Sequence, residues 1–341
     1  MTFEQNNKGS GLILAIETSC DETAAAVLED GRRILSSVVA SQISIHSEYG
    51  GIVPELASRH HLEAIAQVTA KALSDAGVSV DELGGVAATQ GPGLVGSLVV
   101  GLSFAKAMAV CRGLAITGVN HVHAHLLSIF LEDAPAFPFI GLIVSGGHTG
   151  LYIVRDFLSA ELLGQTRDDA AGEAFDKVAK ILGLEYPGGP VIGRLAEAGD
   201  AASFAYPRIR LPETPFDFSF SGLKTAVLTS VKRLPEDMPV PVEDICASFQ
   251  EAVADVLVEK ALYAAKSHGI KDLVICGGVA ANSRLRKKVS EESSAHSIRF
   301  FMPSPSLCTD NAAMVGLVGY HQIRSGILLK DDADVYSRLF C

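Results

Sequence analysis

The hydrophobic pattern opens with an apolar run, Leu12–Ile16, then a polar turn, Glu17-Thr18-Ser19-Cys20-Asp21-Glu22, and a second apolar run through Ala24–Leu28. A third extended run around Ile34–Val39 completes a predicted β meander. From Pro54 to Ala76 the spacing becomes helical, with Pro54 suited to the first turn. Val86–Thr89 predicts a buried strand turned by a glycine-proline segment, Leu98–Cys111 an apolar helix, Leu114–Val119 a strand and His121–Leu131 a helix. The uncharged window Leu83–Phe104 is membrane-like in hydropathy, but Gln90, Pro92 and its glycines divide it into strand, turn and buried helix.

The opening pattern then returns. Phe139–Val144 is an apolar strand, Ser145-Gly146-Gly147-His148-Thr149 a polar turn and Leu151–Val154 a returning strand; Leu273–Cys276 is a short buried strand before Gly277-Gly278. Two halves that each begin strand, polar turn, strand and continue with α/β units predict a duplicated α/β domain, two lobes with a central cleft. Two unrelated hairpins are the plainer alternative. The expected lobes are residues 11–135 and 136–310, with a C-terminal helix over 311–341 packing back on the first. Pro-rich stretches at Ala134–Pro138 and Pro207–Pro215 read as a connection and an exposed loop.

Composition narrows the class. A length of 341 residues fits two domains at roughly 100–200 residues each, or one large one. With 48% apolar residues, 6% aromatics and no Trp, the core is expected to be Ala, Val, Leu and Ile. The net charge of −11 argues against holding nucleic acid by bulk phosphate neutralisation, so a local patch or a partner would have to supply positive charge. Cys20, Cys111, Cys246, Cys276, Cys308 and Cys341 lack CxxC spacing and read as reduced thiols. The opening MTFEQNNKGS has neither an apolar signal core nor an Arg-rich amphipathic pattern, and a cytoplasmic location without a membrane anchor is expected.

The sharpest chemical signal is Asn120-His121-Val122-His123-Ala124-His125. On a helix His121 and His125 project about 40° apart, close enough to share one metal ion, while His123 points away at about 200°. A satisfied polar stripe is the bland alternative, and a third ligand from elsewhere would decide. Val122 stands where an HExxH zinc protease carries its base, so water activation for peptide cleavage lacks its glutamate. The turns at Ser145 through Thr149 and Cys276 through Asn282 follow buried strands, and their glycines let N–H groups approach a phosphate or carbonyl oxygen; the second is expected to open a helix bearing Arg284 and Arg286. Neither GxxxxGK[ST] nor GxGxxG occurs. Asp310 reads blandly as a helix N-cap, Asp176 as a solvated helix face beside Lys177 and Lys180, and His60-His61 as surface.

These runs together resemble the TsaD family of tRNA threonylcarbamoyl-adenosine transferases, once described as O-sialoglycoprotein endopeptidases. The resemblance is carried by Ile16 through Thr23, Tyr49 through Arg59, Gly91-Pro92-Gly93, Asn120 through His125, Ser145 through Thr149, Gly172 through Lys177, Pro187-Gly188-Gly189-Pro190, Phe218 through Lys224, Gly277 through Asn282 and Cys308 through Asn311. They occur in family order from about residue 12 to 320.

The resemblance implies an actin-like, sugar-kinase-like (ASKHA) fold. It implies that His121 and His125 from one lobe and Asp310 from the other hold one divalent metal ion, Fe2+ first and Zn2+ as the alternative. By the same resemblance Ile143, Val144, Ser145, Gly146, Gly147, Asp176, Gly189, Gly193 and Asn282 bind threonylcarbamoyl-AMP, with ATP or ADP as other occupants. Gly193 departs from the family pattern, in which many members carry Asp. The implied reaction is transfer of the threonylcarbamoyl group to N6 of the adenine at position 37 of tRNAs reading ANN codons. Implied partners are tRNA, a TsaB-like paralogue and a TsaE-like P-loop ATPase, with a homodimer as a further assembly. The Tyr49–Arg59 run is similar to the bacterial or mitochondrial branch. Metalloendopeptidase, ATP-hydrolysing actin-like enzyme and inert scaffold are the rival readings; a scaffold should lack the His121, His125 and Asp310 set.

Overall fold

A computed structural model describes residues 11–235 and 237–338. The opening MTFEQNNKGS, Cys341 and the last residues of the expected C-terminal helix lie outside the described residues. The chain divides into two compact units: one holds the chain up to Asp133 together with the segment from Thr309 onward, the other Ala134–Cys308.

The first unit is built on a five-stranded sheet. Its strands are β1 (Leu12–Glu17), β2 (Glu22–Glu29), β3 (Arg33–Ser41), β4 (Gly85–Gly91) and β5 (Ala115–Asn120), in the order β3-β2-β1-β4-β5. β1, β2 and β3 pair antiparallel, while β4 and β5 extend the sheet parallel to β1. β1, β2 and β4 are near-continuous apolar runs because both faces are covered. Leu14, Ile16, Val86 and Ala88 meet Leu102, Ala105 and Ala109 of the Val95–Arg112 helix. That helix is long and apolar enough to cross a membrane, yet its Leu98, Leu102, Ala105 and Ala109 are buried. On the other face lies the Ala312–Arg324 helix, close enough that a Cβ on Gly319 would come 2.2 Å from that of Ala87. The helix expected over 311–341 therefore stops at Arg324, and Gly326 turns the chain at a φ of 74°.

The long helix runs from Pro54 to Ala76, as its periodicity predicts, and ends where Gly77 takes a left-handed φ of 66°. Its inward stripe is Ala57, His61, Ile65, Val68 and Ala72. His61 is thus buried rather than on the surface. Its Nε2–H donates to the Cys20 carbonyl at 2.9 Å and its Nδ1 accepts from the Thr23 hydroxyl at 2.8 Å. Burial lowers its pKa, so the ring is neutral in this arrangement.

The second unit repeats the plan with β6 (Phe139–Val144), β7 (Thr149–Val154), β8 (Ala160–Gln165), β9 (Asp272–Cys276) and β10 (Arg299–Phe301). Read as β8-β7-β6-β9-β10, its order and strand directions match β3-β2-β1-β4-β5. The duplication expected from two recurring hairpins is therefore present in the topology. The core departs from the aliphatic expectation: Phe139, Phe218, Phe220 and Phe249 are among the largest fully buried side chains, and Phe175 meets Phe249 edge to face at 5.0 Å. The few aromatics are concentrated where the long Val242–Ser267 helix packs.

That helix also carries a charged network. Glu251 accepts hydrogen bonds from Arg284 Nη2 and Lys288 Nζ, both at 2.8 Å, and Lys288 pairs in addition with Asp255. The Arg284 hydrogen bonds, with Lys288 and against the effect of burial, hold the Glu251 carboxyl down to about 2. A lowered pKa stabilises the fold above the ordinary carboxylate range, and this contribution is lost as pH falls through about 2. Urea unfolding between pH 6 and pH 3 should accordingly show a smaller acid loss of stability in Glu251→Gln than in wild type.

Candidate metal centre and glycine turn

In the first unit the parallel register delivers side chains to one end of the sheet. Ile16 pairs with Ala88 and Thr89 with Val119, so Glu17, Thr89 and the Asn120-His121 corner arrive together at the C-terminal strand ends. Asn120 is extended, and its Oδ1 accepts from the His123 N–H at 3.0 Å, which starts the His121–Leu127 helix immediately after β5. The expected helix to Leu131 finishes as a 3₁₀ turn over Ser128–Leu131.

Asp310 completes the group. It does not cap the following helix: Asn311 does, its Oδ1 accepting from the Met314 N–H at 3.0 Å. Released from capping, the Asp310 carboxylate faces the two histidines, with Oδ1 3.0 Å from His125 Nε2 and 3.6 Å from His121 Nε2. The chain re-enters the first unit at Thr309, so Asp310 belongs to the same unit as His121 and His125 rather than to the other lobe. One ligand atom from each lies within 4.8 Å of the others. His123 is not among the three.

Glu17, whose place in a polar turn carries no chemical signal of its own, orients this group. Glu17 is fully buried; it accepts from the Ser19 N–H and, at 2.6 Å, from the Thr89 hydroxyl, and its Oε2 lies 3.0 Å from His121 Nδ1. The carboxylate makes Nδ1 the donor, which leaves Nε2 of His121 toward Asp310. His125 Nδ1 is sealed and unpartnered, so the polar reach of that ring is confined to Nε2. Burial opposes charge on both rings. At His121 the charges of Glu17 and Asp310 outweigh it and raise the pKa to about 9; at His125 burial prevails and lowers it. Burial also raises Asp21 and Glu22, the latter to about 7, so Glu22 carries less than a full negative charge at neutral pH. Two imidazole nitrogens and one carboxylate oxygen, with a carboxylate behind one imidazole, fit a divalent Fe or Zn ion.

The second unit supplies backbone donors. Beyond Val144 the turn is closed by Ser145 N–H to the His148 carbonyl at 2.7 Å and His148 N–H to Ser145 Oγ at 3.0 Å. The exposed N–H groups of Gly146 and Gly147 have no partner among the described residues. The Ala171–Ile181 helix starts against this turn, and only glycine fits at 172, where a Cβ would lie 2.6 Å from the Ser145 carbonyl oxygen. The Ile143 and Val144 side chains are buried, so of the expected binding run Ile143–Gly147 only Ser145, Gly146 and Gly147 reach the surface. Asp176 is no solvated helix face: its Oδ1 accepts from the Gly188 N–H at 2.8 Å and fixes the start of the Gly188–Ala196 helix, which carries Gly189 and Gly193. The turn after β9 forms a 3₁₀ segment, Gly278–Ala281, before the Ser283–His296 helix, which Asn282 caps.

Two sheets of one strand order, each flanked by helices and each presenting polar groups at the ends of its parallel strands, define an actin-like, sugar-kinase-like α/β protein with a His-His-Asp group that could hold a metal ion. Solved structures agree on the fold: HypF of T. kodakarensis has a TM-score of 0.64 at 15% identity over 93% of this chain and 48% of its own. The ROK hexokinase of Thermus thermophilus has a TM-score of 0.50 at 16% identity over 92% of this chain and 99% of its own. The family model described as TsaD, tRNA N6-adenosine threonylcarbamoyltransferase, matches residues 33–317. Proteins of that name from Geobacter sulfurreducens and Syntrophus aciditrophicus are 57% and 55% identical, each over 92% of this chain and 93% of their own. The chain belongs to the tRNA N6-adenosine threonylcarbamoyltransferase family.

Glu17→Gln keeps the volume but weakens the hold on His121, and divalent-metal affinity should fall roughly 10- to 100-fold in a chelator competition. In the metal-free protein the raised His121 pKa contributes stability that is fully present below about 6.5 and is lost as pH rises through about 9. Metal must displace that proton, so affinity should climb toward about pH 9, with proton release visible by calorimetry in buffers of different ionisation enthalpy.

Proposed function

We propose that this chain transfers the threonylcarbamoyl group of threonylcarbamoyl-AMP to N6 of the adenine at position 37 of tRNAs reading ANN codons. The observation that carries the reading is the convergence of His121, His125 and Asp310 in a member of this family. The Gly146 and Gly147 N–H groups bind the phosphate oxygens, and Asp176, Gly189, Gly193 and Asn282 border the nucleoside. N6 attacks the carbamoyl carbon, the bond from that carbon to the phosphate oxygen breaks with its electron pair leaving on AMP, and the N6 proton passes to water. His121, His125 and Asp310 would hold Fe2+, or Zn2+ as the alternative, which when bound supplies Lewis-acid charge beside the carbonyl. Glu17 keeps the His121 ring in one tautomer, so the donor atom is set before substrate arrives.

Against the endopeptidase reading stands Val122, buried and apolar where a protease helix needs its base. The net charge of −11 supports partners that complete the tRNA platform, a TsaB-like paralogue and a TsaE-like P-loop ATPase, with a homodimer as a further assembly. A tRNA substrate supports the cytoplasmic location expected from the sequence.

Labelled threonine should pass from pre-made threonylcarbamoyl-AMP to an ANN-decoding tRNA with wild type and the expected partners. His121→Ala and Asp310→Ala should each lose roughly 100-fold or more of that rate. No transfer by an intact, metal-loaded wild type would overturn the assignment, and ATP turnover without tRNA would favour the hydrolase instead.

A further inference from the structure

Gln250 belongs to no motif singled out in the sequence, yet the fold sets it against two residues expected to bind nucleotide. It lies on the Val242–Ser267 helix with only 6% of its surface exposed. Its Oε1 accepts from Asn282 Nδ2 at 2.6 Å. The orientation of both amides follows from the helix cap: Asn282 Oδ1 must face the Leu285 N–H, which donates to it at 3.0 Å, so Nδ2 faces Gln250, and the Gln250 oxygen must be the atom that receives it. That leaves Gln250 Nε2 as the outward donor. It has no hydrogen-bond partner among the described residues and is not a sealed atom.

Gly193 keeps this amide pair uncovered. A Cβ there would lie 3.5 Å from Asn282 Nδ2 and 3.6 Å from Gln250 Oε1, so any longer side chain at 193 would lie over the pair. A nine-tenths buried amide with one end committed and the other unpartnered is the polar group a ligand would satisfy. Gln250 Nε2 and the second N–H of Asn282 are both donors, so the ligand must bring neighbouring acceptors. The two hydroxyl oxygens of a ribose match that number.

Resting on the reading of the second unit as the adenylate-binding part, we infer that Gln250 is a substrate-binding residue, donating through Nε2 to a ribose hydroxyl of the adenylate beside Gly193. Gln250 thereby supplies ribose recognition from the helix behind Asn282, a contact that no side chain at 193 provides.

The test is calorimetric binding of AMP and of 2′,3′-dideoxy-AMP to the full-length chain, wild type and Gln250→Met, with thermal melting to verify folding. Wild type should bind AMP about fivefold to tenfold tighter than the dideoxy analogue, and Gln250→Met should lower that ratio at least about threefold by weakening AMP alone. A wild type that does not discriminate overturns the inference, and this arm needs no variant. Equal weakening of both ligands in Gln250→Met also overturns it, because Gln250 would then only hold Asn282 in place. Binding of neither nucleotide by wild type would remove the adenylate reading itself, and the inference with it; a failed ratio with AMP still bound would leave that reading standing.

Discussion

The first unit depends on one buried carboxylate. Glu17 has no exposed surface, and a charge in that position survives only because the Ser19 N–H, the Thr89 hydroxyl and the His121 ring all bond it. Removing one partner of such a set costs about 3–5 kcal/mol. The bonds join the ends of β1 and β4 to the corner after β5, so the strand register and the tautomer of His121 are parts of one arrangement. Asp310 then meets two imidazole nitrogens whose directions are already set.

The duplicated sheets use the same strand ends for different chemistry. In the first unit the polar groups past the strands are side chains, two imidazoles and carboxylates, which suit a cation. In the second they are N–H groups of Gly146 and Gly147, which suit an anion because the absence of Cβ leaves the backbone uncovered. Duplication supplied two sets of strand ends; local sequence decided which charge each one suits.

Glycines and caps carry much of the positioning. Gly319 lets the Ala312–Arg324 helix approach the sheet, and the cap at Asn311 spares Asp310 for the histidines. Gly172 performs the equivalent task against the Ser145 turn, while Asp176 anchors the helix that bears Gly189 and Gly193. Each local choice is small, and each moves a functional group by the fraction of an ångström that decides whether ligand atoms converge.

The sequence by itself determined the elements and the face each presents. Periodicity located the Pro54–Ala76 helix and the Phe139–Val144 strand, the i,i+4 spacing put His121 and His125 on one side, and paired glycines marked the turns after buried strands. Period and spacing are short-range properties, legible within a few residues. The tertiary structure decided what those faces meet. Glu17 looked like part of a polar turn, His61 like a surface residue, Asp310 like a cap from the other lobe, and Gln250 had no signal at all. Each acquires its role from a partner dozens to hundreds of positions away, Glu17 with Thr89 and His121, His61 with Cys20, Asp310 with His125, Gln250 with Asn282. Such pairings are chosen by strand register, close helix-to-sheet packing and the requirement that buried polar atoms be bonded, and no local pattern encodes which distant atom will satisfy them.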